Sequence, residues 1–261
     1  MIQILYSGKT APTAVALRDG LKERGVQSVA CWRKDLPPIT TPPEEVLRVN
    51  WGRALTHFSQ DILYLNHSAP VRKTDALRTM ERWGVRLPPH VVGDKLITRG
   101  SMTRAGQKML VSEDSFSTVH IPKSYEIRAD VFAGKVFRLH VKTGDPEIVA
   151  WNRGDSVSWR TFGGLAMVRK AIEAFPELRE SIIRDAIDQA KTAIEALSYD
   201  FGAVDMVIGP SVEDEDEGDV VFVLEVNSAP SLSDTGAGLS RYCHRILRTY
   251  EGLSEYHEAQ H

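Results

Sequence analysis

Cysteine is scarce in this chain, with two in 261 residues, Cys31 and Cys243. They stand far apart and neither carries ligand-type spacing. That excludes a disulfide framework and a thiolate metal centre, and it fits a reducing compartment. Long hydrophobic runs are missing as well. No segment approaches the length of a membrane span, and Met1–Tyr6 is too short and polar for a signal peptide. The expected location is therefore the cytoplasm, with no membrane partner. Charge of one sign is not in excess either: the net charge is -3, so a nucleic-acid partner is not expected.

Several reactive patterns are also lacking. The tryptophans Trp32, Trp51, Trp83, Trp151 and Trp159 are scattered and form no base-stacking ladder. His57, His67, His90, His140 and His244 show no ligand spacing. There is no Ser–His or Cys–His arrangement of the kind nucleophilic catalysis uses. Gly8-Lys9-Thr10 follows a first strand, but the upstream glycine of a phosphate loop is absent, since position 3 is Gln3.

What is present reads as an α/β (α+β) enzyme. Ile2–Tyr6 is a strand, Ala14–Arg24 a helix and Val26–Trp32 a second strand, a βαβ opening. Pro37, Pro38, Pro42 and Pro43 mark a loop. Asp61–Asn66 is a buried strand and Thr74–Trp83 a helix, with Gly84 as its C-cap. The pattern then turns β-rich, with strands expected at His90–Thr98, Lys108–Ser112, Thr118–Ile121, Tyr125–Phe132 and Lys135–Lys142. Ala133-Gly134 is a tight hairpin turn. The stretch 143–164 is polar and glycine-bearing. Ile183, Ile187, Ala190, Ile194 and Leu197 make the buried stripe of an amphipathic helix. Two strands follow, Ala203–Ile208 and Val220–Asn227. The acidic run 213–217 between them reads as a solvated loop.

The last strand carries the chemistry. Glu225 and Asn227 are two apart and share one face, while Leu224 and Val226 point the other way. The partner strand supplies Asp205, so three oxygen donors converge. Magnesium takes hard oxygen ligands and completes its shell with water and phosphate. From the residues alone, the pattern stays open between such a site and a polar face meeting water.

Phe201–Val207 followed by Leu224–Leu232, with its Asn-Ser-Ala-Pro-Ser-Leu continuation, resembles the C-terminal signature of the ATP-grasp superfamily. It is most similar to the ribosomal-protein glutamate ligase and glutathione synthetase branch. Ser124–Val136 is similar to the family's Glu-x-Arg strand and glycine hairpin. The resemblance covers roughly residues 60 to 245. It implies an ATP-grasp fold with an N-terminal βαβ domain at residues 1–70. A linker helix and trimmed small lobe would occupy 71–122, and a large lobe 123–261. Asp205, Glu225 and Asn227 would hold magnesium, two ions in the family, with Mn2+ as a substitute. Glu126 would bind the ribose hydroxyls, and Val119-His120-Ile121 would grip adenine through the backbone. Arg128 and Lys142 would bind the nucleotide as cations on their strands, and Arg99 stands where the small lobe usually has a phosphate-binding lysine. Arg160, in an Arg- and Gly-containing loop, or Arg138 would neutralise charge during catalysis. Ala203 stands where D-alanine ligases carry a catalytic arginine, which favours the glutamate-ligase branch.

The implied activity is ATP- and Mg2+-dependent carboxylate–amine ligation through an acyl phosphate. The alternatives are a kinase on the same scaffold or a non-catalytic nucleotide-binding protein. The implied partners are a small-molecule or peptide carboxylate and an amine. The acid, the amine and any homo-oligomer stay open.

Overall fold

The computed structural model describes residues 1–32, 45–55, 61–69, 71–89, 96–100, 115–119, 121–144, 158–211, 218–232 and 236–258. Of residues 96–100, 115–119 and 253–258 it describes the backbone alone. The chain forms two compact units: Met1–Pro70 with Ser228–His261, and Val71–Asn227. The second run of the first unit was expected in the large lobe.

The first unit is built on a parallel sheet of four strands, ordered β2-β1-β3-β4. These are β1 (Ile2–Tyr6), β2 (Ser28–Cys31), β3 (Leu47–Trp51) and β4 (Leu63–Leu65). Helix α1 (Ala11–Lys22) opens on Pro12, whose fixed φ suits a first turn, and buries Ala14, Leu17 and Leu21. Strand β3 is absent from the sequence expectation, yet it pairs with both β1 and β4. Its polar residues are internal and satisfied. Arg48 Nε donates to Gln3 Oε1 at 2.8 Å, and its Nη1 donates to Tyr64 OH at 2.6 Å. Asn50 Nδ2 donates to the carbonyls of Asn66 and Ala69.

The last helix, α5 (Gly236–Glu258), belongs to this unit because its apolar stripe packs there. Tyr242 meets Trp51 edge to face at 5.4 Å, and both rings are fully buried. A Cβ on Gly20 of α1 would stand 2.9 Å from Cys243 Sγ, so glycine is what lets α1 and α5 approach.

The second unit holds a five-stranded antiparallel sheet ordered β11-β10-β7-β8-β9. Its strands are β7 (Tyr125–Phe132), β8 (Lys135–Thr143), β9 (Ser158–Gly163), β10 (Phe201–Pro210) and β11 (Asp219–Asn227). The hairpin at Ala133-Gly134 has φ of 48° and 68°, the paired positive values of a type I′ turn. Ala133 is held in that region by its N–H bonding the Asp200 carbonyl at 2.7 Å.

Side chains alternate across this sheet. One face carries Ile127, Ala129, Leu139, Val141, Val204 and Met206, all buried. Against it pack α3 (Met167–Ala174) and α4 (Glu180–Ala196), the latter through Ile183, Ala186, Ala190 and Ile194. The opposite face carries the polar residues. Helix α2 (Lys73–Arg82) ends at Gly84, whose φ of +74° is the left-handed stop the sequence predicts. A separate antiparallel pair is formed by β5 (Leu96–Gly100) and β6 (Ser115–Val119). The expected strand at 108–112 lies outside the described residues. No described helix is long and apolar enough to cross a membrane.

Candidate functional site

A single rung crosses the polar face of the large sheet. Glu225 faces Asp205, Asp205 faces Arg128, Arg128 faces His140, and His140 faces Thr161. The strands thus align two of the expected metal ligands with Arg128, His140 and Thr161. Asn227 lies two residues beyond Glu225 on the same face, opposite Ala203. A bulge between Asp205 and Met206 shifts the register directly beside the rung.

The contacts along the rung are dense. Arg128 binds Asp205 bidentately, Nε to Oδ1 at 2.5 Å and Nη2 to Oδ2 at 2.8 Å. Asn227 Nδ2 donates to Asp205 Oδ2 at 2.8 Å and to Glu225 Oε1 at 3.1 Å. Lys73, the first residue of α2, reaches Glu225 Oε2 with its ammonium. Burial pushes the Asp205 carboxyl above the usual range. The hydrogen bond and charge of Arg128 pull it back, and Glu225 adds to the rise. Burial works against the Arg128 charge, but Asp205, Asp130 and Glu225 outweigh it and hold its pKa above the ordinary arginine value.

These donors fit a hard divalent cation. One N–H group lies within hydrogen-bond distance of both carboxylates, so the two acids converge on one point. A half-turn of the Asn227 amide places its oxygen there, giving three oxygen donors. Among the described residues there is no group of three or more His, Cys, Asp and Glu that could hold a metal.

Along β7 the polar residues Glu126, Arg128 and Asp130 follow one another at every second position. Glu126 lies on the side of Arg128 nearer Ile121. It accepts from Lys123 at 3.0 Å and from Lys142 at 3.3 Å. Ile121 packs with Val207, Val220 and Phe222, against which Leu224 also lies, as an apolar floor. On the other side of Arg128 is Asp130, fully buried, which binds Arg138 Nε. Arg138 spends only Nε on this pair among the described residues. His140 Nε2 is 3.6 Å from the same carboxylate oxygen, its Nδ1 is 2.9 Å from Thr161 Oγ1, and its ring stacks on Trp159 at 5.3 Å.

The structure does not bring every expected residue to this face. Arg160 sits opposite Val141 in the ladder, so it projects from the helix-packed face. There its guanidinium lies 6.0 Å from the Phe175 ring centroid. The described part of the expected loop forms strand β9, whose alternation sends Trp159 and Thr161 to the polar face instead of Arg160. Arg99 and Val119 fall on β5 and β6, where the backbone alone is described, and His120 lies outside the described residues. Lys73, Lys123, Asp130 and His140 were not singled out from sequence. A signal existed for Lys73, since a cation at the first position of a helix opposes the helix dipole.

No protein-family model matches this sequence, and no curated protein does. Solved structures do. One is an ATP-grasp ligase, PsnB, complexed with a minimal precursor, Mg and ADP. It matches with a TM-score of 0.60 at 12% identity, covering 95% of this chain and 97% of that one. The chain has the ATP-grasp fold. A D-alanine–D-alanine ligase from Bacillus anthracis matches with a TM-score of 0.59 at 13% identity, covering 98% of this chain and 99% of the ligase. The macrocyclase MdnC from Microcystis aeruginosa MRC, bound with precursor peptide MdnA, matches with a TM-score of 0.56 at 11% identity, covering 95% of this chain and 100% of that one. Within this fold, Glu126, Arg128, Asp205 and Glu225 lie on the face of the large sheet opposite the one packed by α3 and α4.

Proposed function

We propose that the protein is an ATP- and Mg2+-dependent carboxylate–amine ligase working through an acyl phosphate. The observation that carries this reading is the convergence of Asp205, Glu225 and Asn227 on one point, with Arg128 clamped beside them. Of the structural neighbours, PsnB is described with Mg and ADP and MdnC with a precursor peptide, which supports nucleotide use and a peptide or small-molecule substrate.

The roles follow from the order along β7. The β5–β6 pair serves as the small lobe. Ile121 and its apolar neighbours take the adenine end of the ATP substrate. Glu126, freed from Lys123 or Lys142, accepts the ribose hydroxyls, and the released lysines turn to the phosphates. Asp205, Glu225 and Asn227 hold magnesium, which offsets the repulsion between two anions when bound. Arg128 fixes Asp205 in place. Arg138 lies on β8 opposite Asp130, which is two residues along β7 from Arg128, about 7 Å at a strand's rise. Held by Asp130 through Nε, it presents the rest of its fork to the acyl phosphate. The substrate carboxylate attacks the γ-phosphorus and ADP leaves. The amine then attacks the acyl carbon and phosphate leaves. Catalysis here is positioning and electrostatic stabilisation, with no protein nucleophile.

The test is a screen of amino acids and amines for ATP-dependent phosphate release, with mass spectrometry of the product. Wild type should form an amide with ADP and phosphate together, and Asp205→Asn and Glu225→Gln should not. Unchanged ATP turnover in both variants would remove the reading.

A further inference from the structure

The four carboxylate oxygens of Asp205 and Glu225 are all engaged by protein donors. Arg128 Nε takes Asp205 Oδ1, and Arg128 Nη2 and Asn227 Nδ2 share Asp205 Oδ2. Asn227 Nδ2 also takes Glu225 Oε1, and Lys73 Nζ takes Glu225 Oε2. The site is thus closed by its own cations and amide. Full use of Glu225 by a divalent cation requires Lys73 to leave.

Two features show that Lys73 is placed to leave and to bind elsewhere. Its side chain is 37% exposed and that of Glu225 27%, so the contact lies at an accessible surface. Lys73 is also the first residue of α2, with Arg72 at the N-cap and no side-chain cap. A helix start is stabilised by Asp, Ser or Thr, and its dipole repels cations. Two consecutive cations at that end gain nothing from the helix dipole, and the first turn holds one acid, Asp75. The Val71 N–H bonds Tyr199 OH at 2.9 Å and anchors the segment that leads into the helix.

We propose that Lys73 is a tethered counter-ion. It occupies Glu225 in the ligand-free protein, gives up the carboxylate when a divalent cation binds, and then contacts the phosphate that accompanies the cation. This rests on the metal-site reading above. It makes Lys73 an opponent of the bare cation and a partner of the cation–nucleotide complex. A merely structural lysine would not reverse sign in this way.

The experiment measures two affinities for wild type, Lys73→Gln and Lys73→Arg. Mn2+ alone is titrated by electron paramagnetic resonance, and Mn2+ with AMPPNP by calorimetry. Lys73→Gln should bind Mn2+ alone about tenfold tighter and Mn2+-AMPPNP about tenfold weaker, the size of a modest coupling between sites. Lys73→Arg should stay near wild type in both. If the two affinities of Lys73→Gln move together, or neither moves, the proposal is wrong while the metal site stands. If Asp205→Asn binds Mn2+ as wild type does, the metal site itself is wrong and the proposal falls with it.

Discussion

Arg128 and Asp205 are register partners on adjacent antiparallel strands, and they make a two-bonded ion pair at 2.5 and 2.8 Å. The geometry fixes the carboxylate plane as a single hydrogen bond could not. Lysine cannot reproduce the fork. Arg128→Lys should keep the fold and weaken Mn2+ binding, because Asp205 is free to rotate. Arg128→Ala leaves the carboxylate beside Glu225 with no guanidinium. It should lower stability by about 1–3 kcal/mol in urea denaturation, since the pair is only partly exposed.

The Asp130–Arg138 pair behaves differently, because it is buried, with side chains 0% and 5% exposed. Removing either partner alone strands a charge. Arg138→Met or Asp130→Leu should each cost about 3–5 kcal/mol, whereas the double variant should recover much of the loss. A double-mutant cycle by chemical denaturation measures this. The recovered double variant should still lack ligation if Arg138 acts on the acyl phosphate.

Gly209 tests the apolar end of the site. A Cβ there would stand 2.5 Å from Ile121 Cγ2 and 2.7 Å from the Pro122 carbonyl oxygen. Gly209→Ala should therefore destabilise by about 1–3 kcal/mol, the range of overpacking. It should also weaken AMPPNP binding by displacing the segment assigned to adenine. Calorimetry on the folded variant separates the two effects.

Both thiols are shielded. Burial pushes Cys243 up to about 11, with Arg24 opposing, and burial also raises Cys31. Native protein at pH 8 should react slowly with Ellman's reagent, and denatured protein should release both thiols quickly. The folded chain keeps the Cys243 proton above the ordinary value of 9.0, where an unfolded chain loses it. Stability should therefore fall as pH rises from about 9 to 11. Cys243→Ser removes this contribution to the alkaline loss.

That Asp205, Glu225 and Asn227 come together was legible because a charged and an amide side chain at alternate positions of an apolar strand are conspicuous. The α4 stripe and the Ala133-Gly134 turn were legible for similar local reasons. Strand β3 was not, because Arg48 and Asn50 break its hydrophobic alternation while lying buried and paired across the sheet. Partners remote in sequence make them tolerable inside: Gln3 and Tyr64 for Arg48, and the carbonyls of Asn66 and Ala69 for Asn50. Arg160 was assigned to a loop facing the reaction, and its actual face depends on the phase of β9, which no local signal sets. Lys73 needed the third dimension too, since it lies far from Glu225 along the chain.

The division of the chain has a consequence for synthesis. The first unit is assembled from Met1–Pro70 and Ser228–His261, with the second unit between them. On the ribosome, Val71–Asn227 can close as soon as it emerges, because all its strands are local to it. The parallel sheet must wait with Trp51 uncovered until Tyr242 arrives. The interval in which that tryptophan is exposed is set by translation speed, and it is the period when a nascent chain most needs a chaperone.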